Sequence, residues 1–349
     1  MTAFSPRSSY RDIRAYDVEP GACEIELADN TSPFGPPPAA LRAIAESTTE
    51  SIARYPSTYS RELRQAIARY VGVAPEEVMV APGSDEVMSC AFRALADPPA
   101  RVAVIDPTFV MARVFAITNS QQVTSVPLLD DFDADAAGLL AVDPQLIYLC
   151  TPNNPTGTPL RESTITRVIR ESRAVVILDE AYAEYAGTNF AGQAPGTDRL
   201  LVLRTFSKAF GLAGLRVGYA VGARSLIAEL EKARGPFAVT TLSERGALAA
   251  LNEDLQWVNA GVQRIIVSRD RFISALRDAG YAPLPSQANF VLIPVGDSGE
   301  AMRALRARGI LVRHFHGLAG VGEAIRISIA EWPVMQRVLA AMKECVPCA

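Results

Sequence analysis

Short apolar runs alternate with polar and turn-forming segments along residues 78–221. Runs of strand length occur near residues 78, 102, 125, 146, 174, 200 and 217. The segments between them include helical patterns, in which apolar residues recur at helical spacing. Strands that alternate with helices favour an α/β fold with a mostly parallel sheet. The pattern therefore predicts a large domain in which a mostly parallel seven-stranded sheet lies between helices.

The pattern changes beyond residue 222, where helical segments dominate until Pro283. A long helix is predicted over residues 255–279, and short strands are predicted afterwards at 289–294, 309–312 and 325–329. This arrangement predicts a smaller α+β domain. We expect three parts: an N-terminal arm (1–30) that packs with the small domain, a large domain (31–250), and a small C-terminal domain (251–349).

Polar and aromatic side chains follow several of the predicted strands. In open α/β sheets, ligands bind in the crevice beyond the carboxyl ends of the strands. We therefore expect these side chains to converge at one edge of the sheet. They are Ser84, Phe109, Asn154, Asp179, Thr205, Ser207, Lys208 and Arg216.

The segment Thr205–Gly218 lies between two apolar runs and carries one lysine among small and apolar residues. No acidic residue is close in sequence to Lys208, and burial of such an amine lowers its pKa. A lysine of this kind forms a Schiff base with a carbonyl compound, and Arg216 offers a rigid fork of donors to a phosphate. The alternative is a solvent-facing loop with incidental basic residues.

Two further motifs have both a structural and a chemical interpretation. In Gly83-Ser84-Asp85-Glu86, Gly83 permits an unusual backbone turn and Ser84 is a natural N-cap, so that the following amides form an anion site. A plain strand–turn–helix junction explains the same residues. Likewise, Asn153–Gly157 is either only a tight turn or the support of a functional Asn154.

The lysine segment resembles that of pyridoxal 5'-phosphate (PLP) dependent class I/II aminotransferases, where Ser-Lys precedes a Gly/Leu-rich stretch and an arginine. Ser207–Arg216 is most similar to the histidinol-phosphate aminotransferase branch, and the resemblance extends from Tyr16 to Arg326. It implies the aspartate aminotransferase fold and PLP as the cofactor. It also implies transfer of an amino group between a donor, histidinol phosphate or an amino acid, and a 2-oxo acid such as 2-oxoglutarate.

The resemblance also implies roles for individual residues. Lys208 would hold the cofactor and move the proton, Asp179 would face the pyridine nitrogen, and Tyr182 would share the ring oxygen with Asn154. The aromatic ring of Phe109 would stack on the cofactor. The other residues that would bind the cofactor are Ser84, Asp85, Thr205, Ser207 and Arg216.

Substrate binding and assembly follow from the same resemblance. Tyr16, Asn154, Arg313 and Arg326 would contact the substrate, with Arg326 holding a carboxylate or an equivalent anion. An arginine on a surface-facing strand edge is the alternative for Arg326. Tyr55, in Arg-Tyr-Pro, would reach the cofactor phosphate of a second subunit, which implies a homodimer.

Three positions depart from the family pattern and leave the donor open. Thr31 and Ser32 replace the central residues of Asn-Glu-Asn-Pro-Phe-Gly-Pro, and Phe109 stands where tyrosine is common. An aromatic or other amino acid aminotransferase is therefore an alternative, as are a PLP-dependent decarboxylase or lyase and a PLP-binding regulatory module. A nicotinamide enzyme is disfavoured because no Gly-x-Gly-x-x-Gly follows an early strand.

Composition adds exclusions rather than a function. The net charge of −4 carries no signature of nucleic-acid binding, and no apolar run is long enough to span a bilayer. Two histidines, His314 and His316, leave little for a metal site, and none is expected. Five scattered cysteines favour free thiols in a reducing cytoplasm, with Cys345 and Cys348 in a frayed tail.

Overall fold

The computed structural model describes residues 4–5, 7–11, 13 and 23–347. Its strands are β1 (Ile25–Glu26), β2 (Val78–Ala81), β3 (Arg101–Asp106), β4 (Gln122–Pro127), β5 (Leu146–Cys150), β6 (Val175–Asp179), β7 (Leu200–Thr205), β8 (Gly218–Val221), β9 (Phe290–Pro294), β10 (Ile310–Leu311), β11 (Arg313–Leu318) and β12 (Gly322–Ser328).

The helices in the same part of the chain account for most of the remaining residues. They are α1 (Pro38–Ala45), α2 (Thr49–Ala53), α3 (Arg61–Val71), α4 (Gly83–Ala94), α5 (Val110–Thr118), α6 (Ala136–Ala141), α7 (Glu162–Glu171), α8 (Ala183–Ala186), α9 (Arg224–Ala233), α10 (Thr241–Glu253), α11 (Leu255–Asp278), α12 (Ser298–Arg306) and α13 (Trp332–Cys345). Among the described residues, no helix combines the length and the hydrophobicity that a membrane-spanning segment requires.

The predicted seven-stranded sheet is confirmed, with the strand order β2-β8-β7-β6-β5-β3-β4. Neighbouring strands from β7 to β4 are parallel, and β8 runs antiparallel to both β2 and β7. The edge strand β4 begins at Gln122, three residues before the predicted apolar run at Ser125. Its first four positions alternate between exposed and half-buried residues and are mostly polar, so they do not form the apolar run from which the strand was predicted.

The central strands β5, β6 and β7 are buried between two layers of helices, as continuous apolar sequences require. Their register places Cys150 opposite Asp179, and Asp179 opposite Leu203, so the three carboxyl ends lie at one edge of the sheet. The chain segments that follow these strands therefore start from the same place, which is the crevice expected to bind a ligand.

A second, antiparallel sheet has the order β11-β12-β9. Strand β11 was not predicted, because Arg313–Leu318 contains charged and small residues and is held as a strand by its pairing with β12. Strand β1 pairs in parallel with β10, which attaches the start of the continuously described chain to the C-terminal part. This pairing supports the expected packing of the arm, while the boundaries at residues 30 and 250 stay a prediction.

Candidate active site

A cavity of about 370 Å³ lies at the carboxyl edge of the large sheet. Segments after five strands contribute side chains to it, and β12 of the second sheet closes it from the other side. Eleven of the residues selected from the sequence line this cavity: Ser84, Asp85, Phe109, Asn154, Asp179, Tyr182, Thr205, Ser207, Lys208, Arg216 and Arg326.

Lys208 lies in a tight loop beyond β7 whose other residues are largely buried. Its Nζ donates a hydrogen bond to the carbonyl oxygen of Asp29 at 2.9 Å. Burial, and secondly the positive charge of Arg326, lower the pKa of Lys208 to about 8. The surrounding Phe206, Ala209 and Phe210 are buried, so the alternative of a solvent-facing loop is wrong.

The other lysines of the chain are far less suited to carbonyl chemistry. There are three lysines in the sequence, at positions 208, 232 and 343. Lys232 and Lys343 are exposed on helices α9 and α13, and Lys232 forms an ion pair with Glu229. Lys208 is the lysine that lines the cavity.

Asp179 is the last residue of β6 and is 4% exposed. The hydroxyl of Tyr148 donates to Asp179 Oδ2 at 2.8 Å, and the amide of Ala181 donates to Oδ1 at 3.0 Å. Burial raises the pKa of Asp179 to about 6, although both hydrogen bonds oppose the rise. Sequence reasoning missed Tyr148 because it lies inside a continuous apolar run, where a tyrosine is read as core.

Tyr182 receives a hydrogen bond that orients its own hydroxyl proton. Ser328 Oγ accepts from the backbone amide of Asn30 and donates to Asn30 Oδ1. The amide group Nδ2 of Asn30 therefore donates to the Tyr182 oxygen, at 3.1 Å. Since that oxygen already accepts, the Tyr182 proton is available to an acceptor in the cavity.

Arg326 is 8% exposed and lies on β12, the central strand of the second sheet, so the surface-facing alternative is wrong. Its Nη1 donates to Asn154 Oδ1 at 2.5 Å, and its Nη2 donates to the carbonyl oxygen of Ala28 at 2.6 Å. The Asn154 carbonyl end is thereby engaged, which leaves its Nδ2 as the donating end of the side chain. Asn153, in contrast, bonds to Pro107 and Thr156 and supports the turn.

Gly83, Ser84 and Arg216 form a tight cradle beside the loop of Lys208. Gly83 has φ +83°, and a Cβ there would lie 2.7 Å from Arg216 Nη2. The expectation that Ser84 is the N-cap of α4 is wrong, because the helix begins at Gly83 and Pro82 occupies the cap position. Because the helix begins at Gly83, Ser84 lies inside its first turn, where backbone amides have no partner within the helix. Pro82 has no side-chain acceptor, so it does not cap these amides either.

Side chains of the cradle supply further hydrogen-bond donors beside these unpaired amides. Arg216 Nη1 is 3.5 Å from Ser207 Oγ, and Nη2 is 3.4 Å from a carboxylate oxygen of Asp85. Hydroxyls, a guanidinium group and the first turn of a helix together match the requirements of a phosphate group. The anion site expected at this junction therefore has its donors in place, without Ser84 as a cap.

Two of the selected residues that the structure describes, Tyr55 and Arg313, do not line the cavity. Tyr55 is 82% exposed and stacks on Phe237 with 4.7 Å between ring centroids. Arg313 faces Arg326 across β11 and β12, so both side chains lie on the same face of that sheet. Tyr16 lies outside the described residues. Thr31, one of the departures from the family pattern, does line the cavity.

The donor set fits pyridoxal 5'-phosphate. The cavity offers an amine, a carboxylate for a ring nitrogen, hydroxyl and amide donors for a ring oxygen, and a phosphate cradle. Residues 24–340 match the profile of the family described as Aminotransferase class I and II. The chain belongs to this family. Membership confirms the expected fold, the aminotransferase class and PLP as the cofactor.

Named relatives of the chain extend over almost its whole length. A histidinol-phosphate aminotransferase of Geobacillus sp. is 36% identical and covers 99% of this chain and 95% of its own. One of Roseiflexus castenholzii is 38% identical and covers 92% and 89%. The crystal structure of the Sinorhizobium meliloti histidinol-phosphate aminotransferase in complex with pyridoxal-5'-phosphate is 28% identical, with a TM-score of 0.87 and 98% of both chains covered.

Proposed function

We propose that this aminotransferase takes histidinol phosphate as its amino donor and 2-oxoglutarate as its acceptor. The proposal of an aminotransfer reaction is supported by one observation: Lys208, Asp179 and Arg326 line one cavity beside the phosphate cradle. The choice of donor is supported by the names of the relatives at 36% and 38% identity. The aromatic amino acids are the second candidate donors, because Thr31 replaces the acidic residue of the family pattern at the wall of the cavity.

The residues around the cavity have complementary tasks toward the cofactor. Arg216, the hydroxyls of Ser84, Thr205 and Ser207 and the backbone amide of Asp85 would hold its phosphate end, and Phe109 would cover one ring face. Asp179 pairs with the ring nitrogen, while Asn154 Nδ2 and the Tyr182 hydroxyl donate to the ring oxygen. When bound, the cofactor supplies a conjugated system that stabilises negative charge at the substrate Cα.

Lys208 Nζ moves the proton at the substrate Cα. Its pKa of about 8 leaves a usable neutral fraction near neutral pH, in which the amine can accept a proton. Arg326 binds an anionic group of the substrate or acceptor, because its planar fork is suited to bidentate contact. Arg313, on the same face of the second sheet, would contact the distal part of the substrate, and a role for Tyr16 at the substrate pocket stays what the family resemblance implies.

The enzyme acts as a homodimer in this proposal. The exposed pair of Tyr55 and Phe237 lies beside Ile52, which is 62% exposed. Apolar exposure of this kind is typical of a surface that is covered by a partner, and Tyr55 would there reach the cofactor phosphate of the other subunit. The free thiols of the four described cysteines support a reducing, cytoplasmic location.

A panel of amino donors with 2-oxoglutarate tests the proposal. We expect glutamate formation, with the highest kcat/KM for histidinol phosphate, and no turnover by Lys208→Ala. Turnover of phenylalanine or tyrosine, with none of histidinol phosphate, would favour the aromatic alternative. Release of carbon dioxide without consumption of 2-oxoglutarate would favour a decarboxylase.

A further inference from the structure

We propose that Tyr148 is a positioning residue for Asp179, whose carboxylate it holds oriented and ionised for the ring nitrogen of the cofactor. This inference rests on the proposed role of Asp179. It adds a residue from the interior of β5 to a site whose other residues lie at strand ends, in loops, at the start of α4 and on β12.

The register of the sheet brings the two side chains together. Tyr148 pairs with Ile177, and Cys150 pairs with Asp179, on the parallel strands β5 and β6. Tyr148 is therefore a diagonal neighbour of Asp179 on the same face, at a distance that a long side chain can bridge. The Tyr148 hydroxyl reaches Asp179 Oδ2 at 2.8 Å, an ordinary distance for a hydroxyl that donates to an oxygen.

The surroundings make this hydrogen bond important. Tyr148 is 0% exposed, and its ring packs in an apolar cluster with Leu146, Ile177 and Leu201. Among the described residues, no other side chain donates a hydrogen bond to Asp179, whose Oδ1 accepts from the Ala181 amide. Because the Tyr148 ring is fully buried in this packed layer, loss of its hydroxyl removes the side-chain donor that Asp179 Oδ2 has on the sheet side.

The direction of the effect follows from the charges around the carboxylate. Burial and the negative charges of Asp85 and Glu180 favour the protonated form of Asp179, whereas Tyr148 favours the carboxylate. A protonated Asp179 cannot offer a negative charge to a protonated ring nitrogen. The other titratable or charged groups that line the cavity are Asp29, Cys150, Tyr182, Lys208, Arg216 and Arg326. None of them is replaced in Tyr148→Phe, although the Cys150 thiol loses its own hydrogen bond with the Tyr148 hydroxyl.

The test is an infrared titration of the cofactor-free protein. Asp179→Asn assigns the carbonyl band of the protonated carboxyl group. In Tyr148→Phe we expect the protonation midpoint of Asp179 to rise by about one to two pH units, since a hydrogen bond to a charged group has an effect of that size. Tyr219→Phe is the control, because Tyr219 is another buried tyrosine of the same sheet, on β8, and packs in a different apolar cluster.

An unchanged midpoint in Tyr148→Phe would overturn the proposal, as would an equal rise in Tyr219→Phe. Circular dichroism of each variant checks that the fold is retained. Binding of PLP, followed by protein fluorescence, gives a second readout. A midpoint that rises from about 6 by one to two units lowers the carboxylate fraction near pH 7, so the Kd of Tyr148→Phe should rise about two- to tenfold there and approach the wild-type value at higher pH. If Asp179→Asn binds PLP as tightly as the wild type, the proposed role of Asp179 fails, whatever the titration of Tyr148→Phe shows.

Discussion

The reactivity of Lys208 depends on its neighbours as much as on its burial. Arg326 is the largest contribution after burial to the lowered pKa of Lys208. Replacing it by a neutral residue removes a positive charge that disfavours the ammonium form. We predict that Arg326→Gln raises the pKa of Lys208 from its wild-type value of about 8, so that the neutral amine forms only at higher pH.

The measurement is the rate of acetylation of Lys208 in the cofactor-free protein as a function of pH, read by peptide mass spectrometry. Arg313→Gln is the matched control, since Arg313 lies opposite Arg326 on the neighbouring strand but is not among the causes of the shift. A midpoint that stays the same or falls in Arg326→Gln would contradict this account.

Asn30 contributes to stability in two ways, through its side-chain hydrogen bonds and through its left-handed backbone conformation, and two substitutions separate them. It is 1% exposed, has φ +55°, and connects Ser328 to Tyr182. Asn30→Gly keeps the backbone freedom but loses the side-chain hydrogen bonds, so the free energy of unfolding should fall by about 1–3 kcal/mol. In Asn30→Ala the free energy of unfolding should be lower by a further ~1–2 kcal/mol, because the left-handed backbone conformation disfavours a residue with a Cβ.

Urea denaturation of the two Asn30 variants gives this difference directly. If alanine proved as stable as glycine, the backbone of residue 30 would not have the conformation described here. If both variants matched the wild type, the Ser328–Asn30–Tyr182 connection would contribute nothing to stability.

At the scale of elements, the start of α4 and the loop before β8 must approach closely to form the phosphate cradle. Gly83 permits that approach, since it has φ +83° and a Cβ would meet Arg216 Nη2 at 2.7 Å. Gly83→Ala should weaken PLP binding about tenfold, because the added Cβ displaces the Arg216 guanidinium from the position in which it donates to the phosphate.

Gly214→Ala is the matched control for this prediction. Gly214 lies in the same segment as Arg216, and nothing lies within 4 Å of a Cβ built there. Equilibrium dialysis with PLP compares the two variants. Equal affinity of Gly83→Ala and the wild type would mean that the cradle is not the phosphate site.

At the scale of the whole molecule, the role of Tyr55 can be tested by mixing two inactive proteins. If Tyr55 acts on the site of the other subunit, a mixed dimer of Tyr55→Ala and Lys208→Ala contains one site with both native residues. We predict that mixing the two variants under conditions of subunit exchange restores a fraction of the aminotransferase activity that neither has alone. Absence of recovery, with mixed dimers verified by native mass spectrometry, would show that Tyr55 does not act across an interface.

The sequence predicts those site residues whose positions depend on local patterns, and it does not predict those that depend on contacts between distant segments. Lys208, Asp179 and Asn154 stand at the ends of apolar runs, and parallel strands must bring those ends together. Tyr148 and the connection from Asn30 to Ser328 depend on strand register and on contacts between distant segments, which local patterns do not contain. Strand β11 exists because β12 lies beside it. Helix α4 starts two residues before the position that Ser84 as an N-cap would give, since Pro82 is the N-cap and Gly83 is the first helical residue.

The central claim is that the amine of Lys208 carries the cofactor, and borohydride reduction of the PLP-loaded protein tests it most directly. Reduction makes the link between cofactor and amine permanent, and peptide mass spectrometry then identifies the modified residue. The chain has only three lysines, so the alternatives are few and each is distinguishable. The account predicts a stoichiometric cofactor adduct on Lys208; an adduct on Lys232 or Lys343 instead, or none on any lysine, would contradict it.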